Sequence, residues 1–276
     1  MTTEYVLFEH IKTYVMKRLE TDYKMPIILP YIPILLIIAS IIFIILSLTY
    51  TISTYEYEYE VTLQETVMEE TMQEVLIVLI IVLYIIGAVI NIYVLYKWIK
   101  RRNDHIGRTY ILYTYVKDFM YELGKKKGLD LSIDVLMLDR ELKEWHVDFR
   151  ERNPILWALL PLVPYIGIVI LLYTYHFLNK DFRKHWTREV AILDRIKDMV
   201  RKFPRGNELS IYLGFSPEYQ FPDRSTALYI VLTIITLGLF SLYWIYTLTS
   251  DPNKHFDEHV KVEDHLVKTL EVLLHL

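Results

Sequence analysis

The chain has 276 residues, 53% of them apolar, with 23 tyrosines, 8 glycines, no cysteine and a formal net charge of −4. The missing cysteines exclude disulfides, thiolate chemistry and cysteine-ligated metals. Bases that alternate with acids along the polar helices exclude a phosphate-tracking nucleic-acid surface.

The apolar residues gather into four runs, 27–50, 75–98, 154–177 and 226–247. Each is long enough, at about 1.5 Å rise per residue, to cross a hydrocarbon core of about 30 Å. Four such runs leave too little polar surface for a soluble fold. The expected class is all-α: a polytopic helical membrane protein with about four hydrophobic helices and long amphipathic cytoplasmic or interfacial helices.

From the N-terminus, Leu7, Ile11, Tyr14 and Val15 share one face of an amphipathic helix within 1–25. The first run is too long for a signal core and has no small-residue cleavage pattern, so it is expected to be retained. Pro26, Pro30 and Pro33 stand at its entrance, where missing donors cost least. With the second run it forms a transmembrane hairpin, 26–98, whose loop 51–74 carries seven glutamates and no lysine or arginine. Basic "KWIKRRNDHIGR" follows the second run. The positive-inside rule then puts the acidic loop outside and the N-terminus in the cytoplasm of a plasma-membrane, multi-pass protein.

Residues 99–153 read as a cytoplasmic helical hairpin turning at "GKKKG", with Val135, Leu138, Leu142, Trp145 and Phe149 on one face of its second helix. The third run opens a unit, 154–203, and carries Pro161 and Pro164 near its middle between two basic flanks. It either spans as a kinked helix, the reading counted here, or dips in and returns with its backbone covered by protein. A linker, 204–225, precedes the fourth run and a C-terminal amphipathic helix, 226–276, in which Val260, Val267, Leu270 and Leu274 form an apolar stripe.

An internal repeat crosses these units. Gly87, Gly167 and Gly238 each lie in an apolar run and are followed 17 or 18 residues later by His105-Ile106, His185-Trp186 and His255-Phe256. Tyrosines fall between, among them Tyr243 beside Trp244, as at a membrane interface. Gly87, Gly167, Gly238, Tyr243, Trp244, Trp186 and Phe256 are therefore the expected structural and interface residues. No catalytic or cofactor-binding residue is identified, and no cofactor is expected. "HFDEH" at 255–259 has the H-x-x-E-H spacing of an inverted zinc-peptidase motif, and His255, His259 and Glu263 could form a His/His/carboxylate face. The plainer and preferred reading is interfacial histidines on a solvated helix face.

The last repeat, Thr236-Leu237-Gly238-Leu239-Phe240 followed by Tyr243-Trp244 and a polar turn, resembles a family of small archaeal and bacterial multi-pass membrane proteins of unknown function. The likeness covers 226–270 and implies no site residue. In the third run Pro164 and Tyr173-Thr174 depart from the pattern. Heavy use of Ile, Tyr, Lys and Glu also suits a thermophilic, archaeal source.

The expected function is non-enzymatic: a scaffold or membrane-shaping protein that binds the lipid bilayer and assembles as a homo-oligomer, or with a membrane or cytoplasmic partner, through its amphipathic helices. The spans offer only Asn91, a few hydroxyls and tyrosines as polar groups, which argues against coupled transport. An oligomeric channel or small-solute permease is the alternative. A membrane metalloenzyme using His255 and His259 is third.

Overall fold

The computed structural model describes residues 2–56 and 63–276, with side chains for 2–49 and 73–276. The acidic loop expected at 51–74 falls almost wholly outside the described side chains. Among the described residues every regular element is helical: α1 (Thr3–Met16), α2 (Arg18–Thr21), α3 (Ile32–Glu56), α4 (Leu63–Lys126), α5 (Ser132–Asp148), α6 (Pro154–Leu159), α7 (Gly167–Arg201), α8 (Gly206–Ser210), α9 (Thr226–Ile235) and α10 (Phe240–His275). The chain divides into two compact units, Pro26–Tyr96 and Met1–Met25 with Lys97–Leu276.

The smaller unit holds α3 and the apolar half of α4. Among the described residues these are the two helices long and apolar enough to cross a bilayer, and little of their apolar surface is buried. A 3₁₀ turn, Leu29–Tyr31, places Pro30 and Pro33 at the head of α3, as expected of residues that lack an N–H. Gly87 lies against Leu36 and the Pro33 carbonyl, and a Cβ there would sit at ordinary contact distance, 3.7 Å.

The third and fourth runs are not single membrane-length helices, which corrects the count of four. In the third, α6 passes into a 3₁₀ turn, Leu160–Leu162, and the chain reverses through Pro164 and Tyr165, the latter in the left-handed region at φ 66°. It returns as α7, so close to the outgoing leg that a Cβ on Gly167 would lie 2.1 Å from the Pro161 carbonyl oxygen. Only glycine fits there. In the fourth, α9 stops at Ile235 and the chain reverses through Leu237 and Gly238, with φ of 50° and 95°, into α10. Prolines and left-handed residues break helices that apolar composition alone would continue.

The larger unit is a helical bundle. Phe8, Ile11 and Val15 of α1 share one core with Leu112, Val116 and Phe119 of α4, Leu138 and Leu142 of α5, Ile192 and Ile196 of α7, and Leu266 and Leu270 of α10. The amphipathic faces are thus buried against one another inside the chain, so the need for lipid or a partner to cover them disappears. In α10 the core stripe is Val262, Leu266, Leu270 and Leu273, while Val260 and Val267 are half-buried. Of the expected interface residues, Trp244 and Phe256 are interior, Trp186 is half-buried beside Phe182, Phe221 and Phe256, and Tyr243 is exposed.

A proline inside α10 explains a buried cation. Pro252 has no N–H to give the carbonyl of Leu248, four residues earlier. Nη2 of buried Arg101 donates to that oxygen at 2.6 Å, and Nη1 donates to Asn253 Oδ1 at 2.9 Å.

Candidate metal centre

The three repeat histidines meet. His105 on α4, His185 on α7 and His255 on α10, with His259 one turn further along α10, are each 0% exposed. Each offers one ligand atom, and the four atoms lie within 4.8 Å of one another. His105 Nε2 and His185 Nε2 are 3.0 Å apart. The preferred reading of His255 and His259, histidines on a solvated face, is therefore overturned by their complete burial.

Carboxylates complete the cluster, and they come from elsewhere in the sequence. Glu189, one turn after His185 and fully buried, places Oε1 2.5 Å from His259 Nε2 without hydrogen-bond alignment, and Oε2 3.5 Å from His185 Nε2 and 3.9 Å from His255 Nε2. Tyr113 donates its hydroxyl to Glu189 Oε1 at 2.5 Å. Three atoms of this interior, His255 Nε2, His259 Nε2 and Glu189 Oε2, converge without a hydrogen-bond partner, and His185 Nδ1, the ring nitrogen that does not contact His105, has none either. Unpaired buried polar atoms are costly, and the convergent three point to a cation that would satisfy them together.

The far side of the rings is held as metal-binding histidines commonly are. His105 Nδ1 lies 3.0 Å from Asp22 Oδ1, His259 Nδ1 3.1 Å from Glu263 Oε1, and His255 Nδ1 3.3 Å from the Tyr219 hydroxyl. A proton on Nδ1 shared with such a partner leaves Nε2 as the free donor atom. Glu263, the candidate third member of the His/His/carboxylate face, instead supports His259 and pairs with Arg108 at 2.6 Å. Arg108 also binds Asp22 at 2.9 Å. Glu258, inside the H-x-x-E-H motif, faces away to Ser216 and Lys261, so no carboxylate from that motif reaches the rings.

The charge around the rings is acidic on one side. Asp22 and Glu263 pair with the Arg108 guanidinium, Arg18 also approaches Glu263 at 3.7 Å, and among the described residues Glu189 is ion-paired only with the imidazoles. Burial drives the protonation of His185 and His255 well below the ordinary histidine range, and neighbouring imidazoles add to the effect. These rings are neutral, the form that binds metal. Burial works the same way on His259, but Glu189 and Glu263 outweigh it and lift that ring to about 10.

The centre is closed. Phe215 and Phe221 pack on His255 with centroids 5.8 and 5.7 Å away, so the expected linker 204–225 is in fact one wall of the site. On another side Trp145 packs edge-on to His185 at 4.8 Å and also lines a cavity of about 440 Å³ with Arg102, Tyr110 and Phe149. A fully enclosed ligand set is the form structural sites take, whereas catalytic sites keep a position open. Sequence spacing marked His105, His185 and His255, and the H-x-x-x-E step from His185 to Glu189, repeated at His259 and Glu263, was the one available signal for the carboxylates.

The repeat extends beyond the histidines. Arg152, the capping Asn153, Trp157, Asp181 and His185 correspond in order to Arg224, the capping Ser225, Tyr229, Asp251 and His255. Arg224 pairs with Asp251 at 2.9 Å, and Arg152 approaches Asp181 at 3.7 Å. Each pair ties the foot of an outgoing leg to the returning helix. Residues 224–274 match a domain of unknown function (DUF4234). That stretch begins at Arg224 and takes in α9, the reversal, and α10 with His255, His259 and Glu263, which is one complete repeat unit. No curated protein and no solved structure matches the chain. The comparisons thus show similarity to an uncharacterised domain over the last repeat.

Proposed function

We propose that this chain is a non-enzymatic membrane-anchored scaffold whose helical bundle is fastened by one buried divalent transition-metal ion. The observation that carries this reading is the convergence of four buried imidazoles and Glu189, with unpaired donor atoms on the inside and hydrogen-bonding partners on the outside. His105, His185, His255 and His259 would hold the ion, with Glu189 as a further oxygen ligand. Imidazole-rich sets without thiolate suit zinc, iron, copper or nickel. The ion would join α4, α7 and α10, one helix from each repeat, and so serve as a cross-link. The α3/α4 pair supplies the membrane anchor.

Elemental analysis of protein purified in detergent, after dialysis against metal-free buffer, is expected to find about one divalent transition-metal ion per chain. In His185→Ala with His255→Ala, provided the helical circular dichroism is retained, that content is expected to fall at least tenfold. A wild-type protein without bound metal, which also takes up no zinc or cobalt when titrated, would remove this reading.

Self-assembly belongs to the same proposal in altered form. Because the amphipathic faces are buried within the chain, copies would meet through the exposed apolar helices α3 and α4. Mass measurement of the detergent-solubilised protein is expected to give an oligomer, and a monomer at all concentrations would end the assembly reading.

A further inference from the structure

The two short hairpins, α6 to α7 and α9 to α10, are the largest feature that a metal-fastened scaffold does not use. We propose that both insert into a single leaflet of the bilayer and turn back at mid-depth, with acyl chains as their partner. This rests on the membrane reading of α3 and α4 but on separate observations.

The first observation is length. From Pro154 to Leu162 and from Thr226 to Ile235 each outgoing leg has nine or ten residues. At 1.5 Å per residue that is about 15 Å, half of a hydrocarbon core of about 30 Å. The second is exposure. Tyr165 and Leu237 at the two tips are 100% and 94% exposed, and Ile166, Ile168, Ile235 and Leu239 beside them are also exposed. Between Arg152 and Lys180, and between Arg224 and Asp251, there is no aspartate, glutamate, lysine or arginine.

The third observation is the hydrogen bonding of the tips. Backbone that enters hydrocarbon must satisfy itself, whereas backbone in water need not. The N–H groups of residues 236 through 242 all have partners: Leu232, Ile234, Thr233, Thr236, Gly238 and Leu239 supply carbonyls, and Thr236 Oγ1 accepts from the Phe240 N–H at 2.9 Å. The hydroxyls of Thr233, Thr236 and Ser241 donate back to the chain at 2.7, 2.8 and 2.6 Å. At the other tip Pro161 and Pro164 have no N–H and Val163, Ile166 and Gly167 donate within the turn, so the Tyr165 N–H is the one donor of residues 163–167 without a partner in the chain.

The fourth observation lies at the feet. Arg152 stacks on Phe177 at 4.1 Å beside Trp157 and Tyr173. Arg224 donates to the hydroxyls of Tyr229 and Tyr243 at 3.2 and 3.1 Å. An arginine among Trp and Tyr rings, at the boundary between charged and uncharged sequence, is the composition of a headgroup layer. Both hairpins are anchored in the same bundle: Tyr175, ten residues before His185, packs on Trp244, eleven before His255, at 5.3 Å. The two tips therefore lie on the same side of the histidine layer. Entering one leaflet twice without crossing would enlarge that leaflet's area relative to the other, the physical basis of a membrane-shaping role.

The cysteine-free chain permits a direct test in liposomes with full-length single-cysteine variants Tyr165→Cys, Leu237→Cys, Val78→Cys, Ile133→Cys and Ile211→Cys. Ile133→Cys and Ile211→Cys are expected to react with an impermeant maleimide from the same side. The tip variants and Val78→Cys are expected to react about 100-fold more slowly from either side, because low dielectric suppresses the thiolate. A membrane-soluble fluorophore at each tip is expected to be quenched by lipids brominated along the acyl chain. Fast labelling of the tips with Val78→Cys still slow would overturn the insertion while leaving the membrane anchor intact. Reaction of Ile133→Cys and Ile211→Cys from opposite sides would show a crossing and also overturn it, as would slow tips that brominated lipid does not quench. Fast labelling of Val78→Cys as well would remove the membrane reading together with the insertion.

Discussion

Removing the proposed metal ion with a strong chelator is expected to lower the thermal midpoint of the bundle by about 8–16 °C. A ligand present at about 1,000 times its dissociation constant stabilises the folded form by about 4 kcal/mol, and a unit of this size shifts about 2–4 °C per kcal/mol. Near-ultraviolet circular dichroism is the readout of choice, because Trp145 packs on His185 and reports the centre directly. Re-addition of zinc to the stripped protein should restore the midpoint, and cobalt should do so with visible absorption from an imidazole field. A chelator that leaves the midpoint where it was, in protein that analysis shows to have lost its metal, would mean that the ion does not fasten the bundle.

The same experiment carries a pH dependence of definite sign. In the stripped protein His259 is held protonated by Glu189 and Glu263, with a folded value of about 10 against 6.5 for the free side chain. A raised folded value contributes stability in full below about 6.5, and that contribution is lost as pH rises toward 10. Metal must displace this proton, so its affinity should increase over that window while the stripped protein weakens. The gap between loaded and stripped midpoints is therefore expected to widen from pH 6.5 upward. A gap that narrows across this range would place the ligand proton elsewhere.

Much of the site is legible in the sequence, though not its meaning. The step of 17 or 18 residues from Gly87, Gly167 and Gly238 to His105, His185 and His255 identified equivalent positions, and helical spacing put His259 beside His255. Burial was invisible at that level, because what encloses these rings comes from distant segments: Asp22 before the first span, Tyr113 on α4, and the segment bearing Phe215 and Phe221. The helices themselves follow from apolar periodicity, including the α4 and α5 pair around "GKKKG". Periodicity fails where the chain turns inside an apolar run. Tyr165 and Leu237 look like any other bilayer residue, and only their left-handed backbone reveals the reversals. Pro161 and Pro164 gave warning in the third run, but the fourth offered only Gly238. Half of the α10 stripe is as expected, with Leu270 and Leu274 in the core, but Val260 and Val267 are nearly as well spaced as Val262 and Leu266, and only the partner helices decide between them.

The second large effect is expected at Arg108, which holds the supports of two ligands at once. It is buried, donates to Glu263 at 2.6 Å and Asp22 at 2.9 Å, and has no carboxylate that could move away into water. Arg108→Met keeps the volume but leaves Asp22 without its arginine and Glu263 with Arg18, at 3.7 Å, as its remaining arginine. Breaking a buried pair from one side costs about 3–5 kcal/mol, far more than a surface ion pair returns. At about 2–4 °C per kcal/mol the thermal midpoint should fall by roughly 6–20 °C. Neutralising the orphans should reverse much of the loss, so Arg108→Met with Asp22→Asn and Glu263→Gln is expected to be more stable than Arg108→Met alone. Glu263→Gln by itself separates support of the ligand from stability of the fold: Arg108 keeps Asp22, while the Nδ1 partner of His259 loses its charge. Metal affinity should then drop about 10–100-fold, the range found for such supporting carboxylates, with a smaller change in the stripped protein's midpoint. If Arg108→Met costs less than about 1 kcal/mol, or if the neutralised triple variant is no better, the carboxylates are not held apart from water as described. The support that Asp22 and Glu263 give to His105 and His259 would then be weaker than the geometry implies.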